Sequence, residues 1–130
     1  MQITRIFHSG FLVETAKRYF IFDYYKGELP KLNPDKPVYV FASHGHQDHY
    51  EPKVFELLKQ QGIVPKLAIL AKDIKEKKYP DVIPVLKAGF HAHYEIEADF
   101  LVDTFHSTDA GVAYLVTCGE GKIYHAGDLH

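Results

Sequence analysis

The chain has no tryptophan, one methionine and a single cysteine, Cys118. One cysteine cannot close an intrachain disulfide, so the composition sets a reducing, cytoplasmic setting as the default expectation. No apolar run approaches the roughly 20 residues needed to span a bilayer, so no membrane partner is expected. The opening MQITRIFHSG lacks the charged-then-apolar layout of a secretion signal. A basic surplus is also missing: 15 Lys and Arg stand against 17 Asp and Glu, net −2. That balance argues against a duplex nucleic-acid binder. What is abundant is histidine, with nine in 130 residues, unevenly placed.

The length fits one domain, residues 1–130, and 46% hydrophobic residues suffice for one core. Apolar, aromatic and β-branched segments predict strands at Gln2–Phe7, Gly10–Thr15, Tyr19–Asp23, Pro37–Ala42, Lys66–Ala71 and Val82–Leu86. Pro37–Ala42 is continuously apolar, as expected of a strand buried on both faces. Lys26–Pro37, with one glycine and three prolines, reads as a loop. Glu51-Pro52 opens a helix that carries Val54, Leu57 and Leu58, with Gly62 as its stop. Asp73–Tyr79 reads as a short charged helix. From Tyr94 the pattern is β throughout, and Phe100, Val102, Thr104 and His106 share one face of an alternating strand. Gly111–Cys118 and Lys122–Ala126 pair across Gly119-Glu120-Gly121.

The chemistry concentrates in His44-Gly45-His46-Gln47-Asp48-His49. In an extended segment His44 and His46 point the same way, and Gly45 permits an unusual turn between them. Both rings can reach one ion, while Asp48 and His49 face elsewhere and can serve a second. Imidazole plus carboxylate suits zinc, with iron or manganese as alternatives. The cluster follows a buried strand, where α/β folds place ligands. The competing reading, a polar loop rich in histidine, does not account for the spacing.

This segment resembles the H-x-H-x-D-H signature of the metallo-β-lactamase superfamily, metal-dependent hydrolases with an αββα sandwich. The resemblance implies an α/β fold, here the first half of that sandwich and the start of the second. Asp23 sits where the family places an aspartate that supports the metal loop. His106, before Ser107-Thr108-Asp109, matches the third ligand histidine, with Asp109 as a rival oxygen donor. Ala126-Gly127-Asp128 resembles the Gly-Asp motif, whose aspartate bridges two metals. His8-Ser9-Gly10-Phe11-Leu12-Val13-Glu14 is similar to a branch that includes ascorbate-6-phosphate lactonases.

The resemblance implies that His44, His46 and His106 hold one ion. Asp48, His49 and Asp128 would hold a second, with Asp48 also orienting the water and shuttling its proton. The expected reaction is hydrolysis of an ester, lactone, thioester or amide in a small molecule. A phosphodiesterase or nuclease of the same fold, or a non-catalytic metal-binding module, are the alternatives. The family's last ligand histidine comes from its second half. The sequence is therefore expected to be incomplete at the C-terminus and to expose a β face that favours homo-oligomers.

The other histidines and motifs have plainer readings. His125 reads as a core or supporting residue, His8 as a strand-end residue, and His91 and His93 as parts of an exposed loop; His130 is terminal and carries no assignment. Lys72, Lys75, Lys77 and Lys78 read as a solvated helix face. Tyr24 and Tyr25 read as core or rim, and Cys118 as core.

Overall fold

A computed structural model describes residues 1–7, 10–107 and 111–126. Two sheets face one another, and one helix packs behind the first. The first sheet has six strands in chain order: β1 (Gln2–Phe7), β2 (Gly10–Glu14), β3 (Tyr19–Phe22), β4 (Val38–Ala42), β5 (Leu67–Ala71) and β6 (Val85–Ala88). β1, β2 and β3 pair antiparallel, and β3 through β6 run parallel. The second sheet is antiparallel, in the order β10 (Gly121–His125), β9 (Val112–Cys118), β8 (Phe100–His106), β7 (His93–Glu97).

Period-two alternation explains how one sheet serves two cores. Phe20 and Phe22 of β3 and Tyr39 and Phe41 of β4 face the second sheet, against Phe100, Val102, Tyr114 and Val116. Tyr19 and Ile21 of β3 and Val38 and Val40 of β4 face the helix α1 (Lys53–Gln60), against Val54 and Leu58. Every residue of β3 and β4 is buried. The described residues thus form three layers of the expected sandwich: helix, sheet, sheet. Leu101, Leu115 and the exposed Phe105 and Tyr124 occupy positions on the outer side of the second sheet.

The helix stop works as expected. Gly62 takes a positive φ of 76°, its N–H donates to Lys59 O, and Ile63 N–H reaches back to Leu58 O. Ile63 and Leu58 share one apolar cluster, which completes this cap.

Three expectations need correction. Only Glu76–Lys78 of the Asp73–Tyr79 segment is helical, as a single 3-10 turn. The sixth strand starts at Val85 rather than Val82. Val82 is 96% exposed with φ 56°, and Pro80 and Pro84 bracket it, so the chain bends there instead of pairing. His93 belongs to β7, opposite Asp103, with Nδ1 2.5 Å from Asp103 Oδ1. His91 does sit in a turn, with φ 51°.

A polar cluster ties the sheets together at the end where β3 and β4 begin. The buried Arg18 donates through Nη2 to Asp99 Oδ1 (2.6 Å) and through Nε to Glu97 Oε1 (3.2 Å). Tyr39 donates to the same Glu97 oxygen, and the guanidinium lies 5.1 Å from the Phe100 ring centre. The Arg18 hydrogen bond holds the Asp99 carboxyl well below its ordinary value. The Tyr39 hydroxyl lowers the Glu97 carboxyl. Burial pushes Tyr39 up to about 12.

These directions fix the sign of a pH effect. A carboxyl lowered on folding adds stability above its ordinary value, 3.8 for Asp99 and 4.5 for Glu97, and that stability is lost as pH falls through the folded value. Arg18→Ala is therefore expected to lower stability near pH 7. It should also flatten the acid limb below about pH 4.5. The alkaline limb that Tyr39 contributes between 10 and about 12 should persist, because burial is its main cause. Urea unfolding across pH checks this. A variant with wild-type stability and an unchanged acid limb would refute the role given to the cluster.

Candidate metal centre

Three parallel strands end at the same edge, and their exits bring the site together. β3 leads to Asp23, β4 to Ser43–His49, and β5 to Asp73. Parallel strands necessarily present their carboxyl ends together, which is why ligands collect there.

Asp23 is fully buried, with φ 50°, an uncommon conformation for a residue with a side chain. Its Oδ1 accepts the Ser43 N–H at 2.7 Å, and its Oδ2 accepts the Ser43 hydroxyl. The same Oδ2 lies 3.0 Å from His49 Nδ1 and 3.8 Å from His125 Nε2. A carboxylate oxygen accepts only, so His49 donates its Nδ1–H to Asp23. His49 Nε2 stands 3.5 Å from Asp48 Oδ2. His125, stacked on Phe22 at 5.1 Å, is a buried supporting residue.

The second sheet grips the end of β4 directly. Val112 N–H donates to Ser43 O at 2.7 Å, and the Tyr114 hydroxyl donates to Ala42 O at 2.9 Å. Burial holds the Tyr114 hydroxyl well above its ordinary value, so it stays a donor. Gly111 makes this approach possible. A Cβ there would lie 2.5 Å from Ser43 O and 3.2 Å from His44 Cβ.

His44–His49 is a bend followed by a turn rather than a strand, closed by His49 N–H and Tyr50 N–H on His46 O. The His44 and His46 rings nevertheless converge, with His44 Nε2 2.9 Å from His46 Nδ1. His44 is buried and His46 exposed. The His49 ring centre lies 5.8 Å from that of His44. Asp48 projects outward, with its side chain 55% exposed. Tyr50 anchors the turn through its hydroxyl on Lys78 O.

The predicted ligands are thus partly assembled. His44 and His46 meet, and Asp48 and His49 adjoin. His106 is exposed. It sits opposite Val112, donates Nδ1–H to Ser107 O at 2.6 Å and packs on Phe90 with ring centres 4.4 Å apart. Its face partners Phe100, Val102 and Thr104 are buried as expected. Asp128 lies outside the described residues, as do Asp109, His8 and His130. Among the described residues no three His, Cys, Asp or Glu side chains form a ready metal-holding group.

The donor chemistry fits a metal ion. Two neutral imidazoles facing each other can share one proton or jointly hold a cation. Zinc–nitrogen distances of about 2.0–2.1 Å in tetrahedral geometry separate two ligand nitrogens by roughly 3.3 Å. His44 and His46 need to part by only a few tenths of an ångström. Sequence reasoning missed Asp73, whose Oδ2 lies 2.8 Å from His44 Nδ1 and accepts Gly45 N–H at 2.9 Å. The signal available was its place just past β5, beside the strand that carries the histidines. Gly111 and Tyr114 were likewise read only as parts of a strand.

The fold is the α/β half of a sandwich, with an imidazole pair at the carboxyl ends of its parallel strands. Residues 2–130 match the beta-lactamase superfamily domain, and the chain belongs to that family. It is 26% identical over 140 residues to a UPF0173 metal-dependent hydrolase of Pyrobaculum arsenaticum, covering 98% of this chain and 61% of that protein. A UPF0173 metal-dependent hydrolase of Korarchaeum cryptofilum is also 26% identical, over 142 residues, with 98% and 60% covered. The structure of Igni18, a metallo hydrolase of Ignicoccus hospitalis, shares the fold at TM-score 0.67 and 17% identity, with 98% of this chain and 60% of that one covered. The chain therefore spans about three-fifths of the length of these relatives. Among the described residues no helix is long and apolar enough to cross a membrane.

Gly111→Ala should disturb the site from a distance. The new methyl must displace Ser43 or His44, so a stability loss of about 1–3 kcal/mol and weakened zinc binding are expected. Gly62→Ala is the control. It meets nothing within 4 Å but strains a positive φ, so it should cost about 1–2 kcal/mol and leave zinc binding intact. Denaturation with zinc titration separates the two. Equal zinc affinity in the Gly111 variant and wild type would sink the proposed coupling.

Proposed function

We propose that this chain supplies the metal-binding part of a hydrolase that acts on a small-molecule ester, lactone, thioester or amide. The observation that carries the reading is the convergence of His44 Nε2 and His46 Nδ1 at 2.9 Å, beside His49 held by a buried carboxylate. His44 and His46, with His106, would hold one ion, zinc by donor type. Asp48, His49 and Asp128 would hold a second. When bound, such an ion lowers the pKa of water to about 7 and polarises the scissile group. The chain's own groups do the rest. Asp23 fixes the His49 proton on Nδ1, and Ser43 keeps the loop in register with both sheets. Asp48, on an exposed side chain beside His49, receives and returns a proton.

Phosphodiester cleavage is the second reading, and one feature favours it. Lys75, Lys77 and Lys78 line a recess of about 320 Å³ together with His46 and Asp73. A basic wall suits an anionic ester better than a neutral one.

Zinc content after loading, measured on wild type and on the His44→Ala/His46→Ala double variant, tests the metal. The double variant should lose bound zinc, and equal zinc in both proteins would defeat the reading. Asp48→Asn should cut turnover by about 10²–10⁴-fold while sparing the first ion. Rates on paired carboxylic ester and phosphodiester substrates, followed together with metal content, decide both points. Unchanged turnover would remove Asp48 from proton transfer.

A further inference from the structure

We propose that Asp73 is a positioning residue that selects which nitrogen of His44 faces the metal. The inference rests on His44 and His46 being metal ligands. Asp73 reaches the loop from β5, a different strand, and its Oδ2 lies 2.8 Å from His44 Nδ1. His44 is 3% exposed, and its Nδ1 makes no in-line hydrogen bond, so the contact is close but bent. Contacts of this kind are commonly bent before a site is filled and tighten when it is.

A carboxylate oxygen accepts and does not donate, so it requires the proton of a neutral His44 on Nδ1. The lone pair is then on Nε2, the nitrogen that meets His46 Nδ1. Reversing the tautomer would aim a lone pair at the carboxylate and a proton at the metal position. Asp73 is itself held by Gly45 N–H at 2.9 Å, so one oxygen spans the His-Gly step of the motif. Gly45 gives it room, since a Cβ there would lie 3.1 Å from Asp73 Oδ2. This is the same logic by which Asp23 sets His49, with one orienting carboxylate for each of the two buried histidines of the loop.

Carboxylates behind metal-bound imidazoles typically change metal affinity by about 10–100-fold. Asp73→Ala should therefore weaken zinc binding by that factor, measured by competition with a chromophoric chelator. Asp73→Asn keeps an acceptor oxygen and should retain much of the affinity. Nitrogen-15 spectra of the imidazoles supply a readout that a merely structural role would not move. In the metal-free protein His44 should be protonated at Nδ1 in wild type and Asn variant, and should populate the Nε2–H form in the alanine variant. Wild-type zinc affinity and an unchanged tautomer in Asp73→Ala would overturn the inference. If the alanine variant unfolds, the tautomer in Asp73→Asn decides it: an Nε2–H form there refutes the role. The double variant His44→Ala/His46→Ala keeps the two readings apart. Zinc binding that survives it defeats the metal centre, whereas binding lost there but unchanged in Asp73→Ala defeats only the role of Asp73.

Discussion

A carboxylate with no solvent exposure has to be enclosed by donors, and Asp23 is met by donors from two other segments, with an imidazole of the opposite sheet close by. Ser43 donates from the end of β4 and His49 from the turn before α1, while His125 Nε2, at the end of β10 in the opposite sheet, approaches to 3.8 Å. Leaving such a charge without partners costs several kcal/mol. The placement of the loop, the helix entry and the second sheet is therefore one constraint rather than three. Ser43 is the shared point. Its N–H and hydroxyl serve Asp23, while its carbonyl accepts Val112 N–H.

The two ends of the sandwich are fastened by different chemistry. At one end Arg18, Glu97, Asp99 and Tyr39 join the sheets through a half-exposed ion-pair cluster. Between the ends lies an aromatic stack, with Phe22 4.6 Å from Phe41 and Phe20 5.1 Å from Phe100. At the other end the joint is backbone to backbone and dry, through Ser43, Gly111 and Val112. A clasp made of side chains can take up small shifts by rotating them; a close backbone approach cannot. The stiff joint is the one beside the histidines of the loop.

Much of the fold is legible in the sequence because its signals are local. The continuous apolar run at β4, the alternation of Phe100, Val102 and Thr104, and the Gly62 stop each follow from a few neighbouring residues. Val82 shows where that fails. A β-branched residue reads as strand, yet Pro84 and an unpaired flank turn it outward with a positive φ. His93 shows the opposite error, since its strand exists only through pairing with Asp103, ten residues on. The site divides the same way. The convergence of His44 and His46 is expected from spacing but arises through a bend rather than the extended segment that the spacing assumes, and Asp23 is read from resemblance. Asp73 is 29 residues from His44 and Gly111 is 68 from Ser43, and only the parallel sheet and the facing sheet bring them there.

Under the proposed metal centre, the same division links metal binding to folding. A motif of six residues supplies the imidazoles, but His44 and His49 are buried and aimed by carboxylates on other strands. In an unfolded chain the same six residues have neither orienting carboxylate, and each histidine samples both tautomers. Metal binding that prefers the aimed rings therefore adds its free energy to folding. The coupling is strongest for His44. Its ring must satisfy a partner from β5 while its neighbour Ser43 meets β9, so forming the site requires that both sheets are already in register.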